Sequence, residues 1–590
     1  MWYNEFTANG CNRAGAGHDS ACIGCGEKEI DRPEGKMRIT LIPAPRAAEE
    51  IIETQEGVTI EQLYLERKAN LPYTVLAAKV NNKYEDLDTE LKEDCRVEFL
   101  DMRNQAANLI YQYSLSLIYI KAVYDVMGKV GVWIDNSLDK GLYTEIRSKE
   151  PITLKQVRAI ERRMRKLVDS DIPFVKEIVS RDEGMRIMEE EGLEEKKRIL
   201  NESLNIKKVK FYSLDGCRDF FYGLMVPSTG YIQYFQLLKY RHGVLLRFPH
   251  TSKPDVIPEH RDETMLYQAF GEQKKWDKLL GVTYVPDLNE KINNGGFLEM
   301  VQLSEALQEK KIAQIADMIK KQKKRIILIA GPSSSGKTTF AHRLCIQLKV
   351  NGLDPLYMGT DDYFVEREQT PLDENGEMDY ENLDALDIGL FNSNMNDLLA
   401  GKEVDMPTFD FMTGHKVYGK RKTSVRAGQP VVIEGIHGLN SKLTEQIPDE
   451  EKFKIYISPL TQLNIDMHNR VPTTDERMLR RMVRDYQFRG HSAQDTIAAW
   501  PKVRAGEDKN IFPFSDEADV LFNSYHDYEI SVLKKYAEPL LKAIKPEEPE
   551  YAEAVRMLKF LRFFQTVDDD SAIVNNSIMR EFIGGSVFDL

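Results

Sequence analysis

The sequence predicts a multidomain chain combining α/β and α+β units: a β-grasp module, an α+β domain, and a domain built on a parallel sheet. Three observations predict it. At 590 residues the chain is longer than one hydrophobic core organises. Ile326 to Ala330 is a short, β-branched apolar run, followed by a glycine-bounded loop and a helical pattern in Phe340, Leu344 and Leu348. That is the strand–loop–helix start of a parallel sheet. From Met37, short alternating strands surround one short helix, as in a small α+β unit.

Composition narrows the class. With 42% hydrophobic and 29% charged residues the chain is ordinary globular material, and its net charge of −14 argues against a broad nucleic-acid-binding face. No apolar run reaches the length of a membrane span, and Met1-Trp-Tyr-Asn-Glu lacks the basic-then-apolar layout of a signal peptide. Six cysteines are too few for a disulfide framework, so a reducing, cytoplasmic setting without membrane attachment is expected.

Residues 1–36 are polar and glycine-rich. Cys22-x-x-Cys25 with Cys11 and His18 could supply four zinc ligands, but the spacing is irregular and no second CxxC follows, which favours an unligated tail. In residues 37–102, the stretches 38–42, 75–80 and 96–100 read as strands, Thr59 opens a short helix, and Asn81-Asn82 makes a turn. This β-grasp pattern resembles the TGS domain, a ubiquitin-like unit at the front of threonyl-tRNA synthetases and some GTPases.

Residues 103–285 continue that resemblance. A helix covers 113–123, strand-like stretches follow at 131–136 and 141–143, and Thr153-Leu-Lys-Gln156 is a capping box ahead of Val157, Ile160, Met164 and Leu167 on one face. Asp215-Gly-Cys217-Arg218 and Val226-Pro-x-Thr-Gly230 come later. The order is similar to the second domain of threonyl-tRNA synthetase, shared with alanyl-type editing proteins. In that family H-x-x-x-H on the first helix and C-x-x-x-H later form a metal-bound hydrolytic site. Here those positions are Tyr113, Leu117, Cys217 and Phe221. Tyr and Leu cannot replace imidazole on zinc. An editing-like fold without editing chemistry is implied, serving as a structural or oligomerising platform or binding RNA or a small regulator. Residues 286–322 read as a helical linker, with a break at 293–296 and helix over 297–321.

The chemistry lies in residues 323–545. Gly331-Pro-Ser-Ser-Ser-Gly336-Lys337-Thr338 is G-x-x-x-x-G-K-[ST] in its required strand–loop–helix context. Backbone N–H groups of such a loop surround phosphates, and the helix N-terminus adds partial positive charge. Gly331, Ser333, Ser334, Ser335, Gly336, Lys337, Thr338 and Thr339 are thus the candidate ATP ligands, with Lys337 at the β- and γ-phosphates and Thr338 on Mg²⁺. A second strand delivers Asp361 and Asp362 to the carboxyl edge of the sheet, and a third, 430–433, ends in Glu434, placed to complete a Mg²⁺ site. The helix carrying Arg477, Arg480, Arg481, Arg484 and Arg489 around Asp485 reads alone as a salt-bridged surface, and after a phosphate loop as a lid over the transferred phosphoryl group.

GPSSSGKTT, TDDYF, YENLDALD, PTFDF with His415, VVIEGI and RRMVRDYQFRG occur in the order seen in the uridine/cytidine kinase and phosphoribulokinase family, which this region resembles. The resemblance implies Asp361 as the base for a 5′-hydroxyl, with Lys337, Arg484 and Arg489 as its catalytic partners. It implies Thr338 and Glu434 on Mg²⁺, Asp361 joining through water. It places Asp384 on the ribose hydroxyls, Phe409 and His415 at the base, and Arg481 beside the acceptor in the lid. Departures are Phe409 in place of a Tyr, one extra residue before His415, His491 at the last lid position, and a longer stretch at 459–474. The lost hydroxyl bears on base recognition.

The expected activity is therefore an ATP- and Mg²⁺-dependent kinase of a pyrimidine nucleoside, working in salvage. Alternatives are an ATP-switched regulatory or RNA-associated protein, and a kinase of another alcohol such as a sugar phosphate or pantothenate. Self-association is expected. Residues 546–590 form a tail that reads as a docked terminus.

Overall fold

The computed structural model describes residues 36–588 apart from 46, 204–205, 374–375 and 411, so Cys11, His18, Cys22 and Cys25 lie outside the described residues. The β-grasp unit consists of β1 (Lys36–Ile42), β2 (Glu50–Gln55), α1 (Ile60–Leu65), β3 (Val75–Val80), β4 (Lys83–Glu85) and β5 (Cys95–Asp101) in the sheet order β2-β1-β5-β3-β4. Its two central strands, β1 and β5, run parallel and the outer pairs antiparallel. Thr59 caps α1 through a reciprocal capping box with Gln62. Asn81 and Asn82 both take positive φ, the conformation a tight hairpin with this twist requires. β2 and β4 went unread in the sequence because they carry little buried surface.

The second unit begins with α2 (Gln105–Met127), β6 (Gly131–Leu138), β7 (Gly141–Arg147) and α3 (Leu154–Asp169). It continues through β8 (Val175–Ser180), α4 (Arg181–Glu191), α5 (Glu194–Glu202), β9 (Lys208–Leu214), β10 (Cys217–Phe220), β11 (Gln236–Tyr240) and β12 (Gly243–Arg247). Two antiparallel sheets, β11-β12-β7-β6 and β10-β9-β8, enclose α2, which is buried nearly all round and so lacks an amphipathic stripe. α3 instead buries Val157, Ile160, Met164 and Leu167 on one face, as its spacing predicts.

Three helices lead onward: α6 (Thr264–Leu280), α7 (Val285–Asn293) and α8 (Phe297–Gln322). The second half of α6 reads as polar and hid the helix, although Leu266, Ala269 and Phe270 of its first half pack on an apolar cluster. Gln273 donates to Asp277 at 2.9 Å, and Lys274 pairs with Asp135 at 2.7 Å and Glu145 at 2.9 Å. The boundary expected at 285/286 falls at the first residue of α7.

The third unit is built on β13 (Ile326–Ala330), α9 (Lys337–Val350), β14 (Leu356–Gly359), α10 (Ile388–Leu399), β15 (Val404–Asp405), β16 (Thr408–Asp410), β17 (His415–Val417), β18 (Lys422–Thr423) and β19 (Val431–Glu434). After these come β20 (Lys452–Ser458), α11 (Thr473–Phe488), α12 (Ala493–Asn510), β21 (Val520–Asn523) and α13 (Glu529–Lys542). The C-terminal segment adds α14 (Tyr551–Leu561) and the single turn α15 (Arg580–Ile583). The sheet β14-β19-β13-β20-β21 is wholly parallel and covered on both faces. Ile326 and Leu328 of β13 face one apolar cluster, Ile327 and Ile329 the other.

That second cluster is continuous with the core of the α+β unit, running from Ile110 and Tyr119 through Phe340 to Phe582. Residues 459–474, the long stretch noted in the sequence, make the junction. Asn464 donates to the carbonyls of Ile134 and Asp135 at 3.3 and 3.0 Å, and Met467 O accepts from Ile134 N at 2.9 Å. Asn469 donates to Phe220 O at 3.0 Å. His468 stacks on Phe221 with centroids 6.4 Å apart.

At the four positions aligned with metal ligands, the ring of Tyr113 packs 6.0 Å from Phe221 and 5.5 Å from Tyr222, Leu117 is buried, and burial pushes the Cys217 thiol up to about 12. These positions hold an apolar core. Cys95, Cys217 and Cys345 are free thiols, and no helix among the described residues is long and apolar enough to cross a membrane.

Candidate active site

The loop between β13 and α9 needs its glycines for two reasons. A Cβ on Gly331 would sit 2.0 Å from the carbonyl oxygen of Ile457, so only glycine lets β13 and β20 approach there. Gly336 has φ +83°, in the left-handed region. Ser334 takes φ +60°, and the buried hydroxyls of Ser334 and Ser335 have no partner within the protein, as expected of groups lining an anion cradle. Lys337 Nζ folds back onto the carbonyls of Gly331 and Pro332 at 3.1 and 3.3 Å.

The loop is braced from behind by residues that sequence reasoning missed. Glu507 of α12 accepts from Ser333 N at 3.0 Å and pairs with Arg477 and, at 2.8 Å, with Arg504. Arg480 lies fully buried between Glu476 at 2.7 Å and Glu529 at 2.6 Å, and donates to Ser334 O at 3.3 Å. Arg477 and Arg480 therefore hold the loop's shape, whereas the sequence suggested surface or lid roles for the whole arginine series.

On the other side of the loop, β14 and β19 bring the carboxylates. Asp362 is committed: its Oδ2 pairs with Arg421 at 3.0 Å, and its Oδ1 accepts from Phe409 N at 3.4 Å. Asp361 is exposed, with Lys337 and Arg489 close enough to act on its charge. Its carboxylate meets solvent yet is ringed by protein, and this desolvation raises its pKa, with Lys337 and Arg489 opposing and Asp362 reinforcing the rise. Glu434 is likewise raised, first by burial; Lys337 and Thr338 oppose this, and Asp361 and Glu581 add to it. Thr338 Oγ1 donates to Glu434 Oε1 at 3.0 Å, and the Tyr357 hydroxyl lies 3.4 Å from the same oxygen.

Among the described residues no group of three or more His, Cys, Asp or Glu side chains is set to enclose a metal. The oxygen pair Thr338–Glu434 suits Mg²⁺, which takes most of its ligands from water and substrate phosphates.

Asp485 organises the C-terminal end of α11, pairing with Arg481 at 3.2 Å, Arg484 at 2.7 Å and Arg489 at 3.6 Å. One carboxylate against three guanidinium groups leaves excess positive charge. The Arg489 pKa is lowered by burial and then by its neighbour Arg484. An anion entering here would relieve that repulsion. Arg481 also donates to Ser333 Oγ at 2.8 Å, so it sits on the phosphate loop rather than with the expected acceptor group.

The remaining expected residues gather beyond Asp361. Phe364 stands edge-on to both Tyr380 and Phe409, at 5.7 and 5.6 Å. His415 Nδ1 meets Glu366 Oε2 at 2.7 Å. Asp384 is exposed on the 383–385 turn, and the same stretch bonds back through Val365 N to Ala385 O at 2.8 Å. His437, also missed, is buried just after Glu434, and burial pushes its pKa down to about 4.

Residues 326–531 match the Phosphoribulokinase / Uridine kinase family. The P-loop kinase domain at the C-terminal end thus has a family, and the N-terminal region has another kinship. A threonine–tRNA ligase of Marinobacter nauticus is 29% identical over 184 residues, covering 31% of this chain and 29% of the ligase. That of a Geobacillus species is 28% identical over 186 residues, covering 32% and 29%. The chain therefore spans under a third of the length of these relatives. Among solved structures, a possible uridine kinase from Bacillus stearothermophilus is 21% identical, covering 34% of this chain and 89% of that one, with a TM-score of 0.23. A D-glycerate 3-kinase from Cryptococcus neoformans is 14% identical, covering 42% and 87%, with a TM-score of 0.20.

Proposed function

We propose that this chain transfers the γ-phosphoryl group of ATP to the primary hydroxyl of a nucleoside, uridine or cytidine. The observation that carries it is the division between two adjacent aspartates: Asp362 is neutralised by Arg421, while Asp361 stays exposed within reach of the charges of Lys337 and Arg489. Asp361 takes the proton of the attacking hydroxyl, whose oxygen then bonds to the γ-phosphorus as the bond to the ADP oxygen breaks. Lys337, Arg484 and Arg489 offset charge on the transferred group, and Asp485 fixes the two arginines. Mg²⁺ held at Thr338 and Glu434 would orient the phosphates and withdraw charge from them.

Two features support an uncharged, aromatic acceptor. Phe364, Tyr380 and Phe409 offer ring surface beside Asp361. Two cations of this region are already paired: Arg421 with Asp362 at 3.0 Å, and Lys416 with Asp387 at 3.0 Å. A sugar-phosphate kinase would need such cations for its acceptor. Incubating the full chain with ATP·Mg²⁺ and a panel of nucleosides, sugar phosphates and pantothenate tests this. Turnover with uridine or cytidine supports it, and turnover confined to a sugar phosphate or pantothenate overturns it. The N-terminal half is best read as a platform for this domain, because residues 459–474 bind it through a buried polar junction.

A further inference from the structure

The C-terminal segment reaches the phosphate loop. Glu581 Oε2 accepts from Thr339 Oγ1 at 2.8 Å and from Thr339 N at 3.2 Å. Thr339 lies in the first turn of α9, whose leading N–H groups have no partner within the helix. In a loop of this type those donors, beyond the Lys and Thr that serve the outer phosphates and Mg²⁺, receive the phosphate nearest the ribose. A carboxylate and a phosphate compete for the same two donors.

The segment is built to hold that carboxylate in place. Ile578 packs so closely on Gly336 that a Cβ there would lie 2.5 Å from its Cγ2. Phe582 is buried beneath the Arg480 guanidinium, 4.9 Å from the ring centroid. Arg580 donates to the carbonyls of Ile573 and Asp570 at 2.7 and 2.9 Å, fixing the turn that carries Glu581. Farther on, Phe588 stacks on His342 of α9 with centroids 5.1 Å apart.

We propose that Glu581 is an internal competitor of the nucleotide, occupying the α-phosphate position of the loop so that ATP must displace it in order to bind. This rests on the ATP reading of residues 331–339. The contact makes the binding-competent state a fraction of the population, and the apparent dissociation constant for ATP rises by the inverse of that fraction.

The test is ATP binding by calorimetry to the full-length protein and to Glu581→Gln, which keeps the side chain's size and removes its charge. Glu581→Gln should bind ATP on the order of tenfold more tightly. Equal or weaker binding would overturn the proposal, because a merely structural contact gives no gain in affinity on its removal. If the variant fails to fold, hydrogen exchange on the unaltered protein decides. Faster exchange in 573–588 at saturating ATP supports displacement, and unchanged exchange refutes it. Absence of ATP binding to both proteins would instead remove the nucleotide reading, and this proposal with it.

Discussion

His468 Nδ1 and Asp219 Oδ2 meet at 2.5 Å across 249 residues of sequence, tying the stretch that precedes α11 to the α+β domain. Lys196 completes the cluster by donating to Asp219 and lying 3.6 Å from Asp466, and Asp219, His468 and Lys196 are all buried. Burial works against the Asp219 charge, but Lys196 and His468 outweigh it and hold the carboxyl below the usual range. A depressed carboxyl stabilises the fold above its unfolded pKa, and that contribution is lost as pH falls through the folded value.

Asp219→Asn keeps the shape and strands the Lys196 ammonium with reduced compensation. Breaking a buried pair in this way costs about 3–5 kcal/mol. Urea unfolding at neutral pH should show a loss of that order, shrinking as the pH is lowered. A loss below about 1 kcal/mol, the range of exposed pairs, would mean that the cluster does not hold the two units together.

Asp361→Asn should lower turnover by about 10²–10⁴, the range for removing a general base, while ATP affinity stays close to that of the unaltered protein. The pH profile carries a second signature. Burial raises the Asp361 pKa, so the ionised base is lost on acidification at a higher pH than for an ordinary aspartate. The acid limb of kcat/KM should lie above the ordinary aspartate value, and an acid limb at that value would remove Asp361 from the role.

Much of this was legible in the sequence, and the reasons differ by element. The capping boxes at Thr59 and Thr153, the Asn81-Asn82 turn and the span of α8 are local, so their signals sit within a few residues. The phosphate loop was legible because its spacing is tied to one backbone shape. α6 was not, since its apolar face of Leu266, Ala269 and Phe270 is interrupted by the buried Gln273 and by Lys274, which is held in ion pairs. Glu507 and Glu581 were not either, because a carboxylate that acts across 174 or 242 residues looks in sequence like any solvated acid. The arginine series was read as one group, while burial splits it into Arg477 and Arg480 behind the loop and Arg481, Arg484 and Arg489 before it.

Glu434→Gln separates metal binding from packing. The amide still accepts from Thr338 Oγ1, where the hydrogen bond is 3.0 Å, so the fold should persist with an unchanged unfolding midpoint. The anionic oxygen that suits Mg²⁺ is gone, and the Mg²⁺ concentration for half-maximal turnover should rise about 10–100-fold, with partial recovery at high Mg²⁺. An unchanged Mg²⁺ dependence would exclude Glu434 from the metal site.

The last prediction concerns the half-buried Asp277 and the buried Asp527, two carboxyls joined through Gln273, whose Nε2 lies 2.9 Å from Asp277 Oδ1 and 3.5 Å from Asp527 Oδ1. Burial raises both, Asp527 to about 7, and the charge of Asp527 raises Asp277 further. A carboxyl whose folded pKa exceeds its unfolded value binds its proton more tightly when folded. Its contribution to stability is therefore complete below the unfolded pKa and lost as pH rises through the folded one. Stability should fall between about pH 4 and about pH 7 by up to about 1.4 kcal/mol per pH unit for one proton taken up on folding, and level off above that. Asp277→Asn removes the mutual repulsion and should flatten that fall, leaving a higher unfolding midpoint than the unaltered protein at pH 8. Parallel pH profiles for the two proteins would show that the pair does not share a proton at neutral pH.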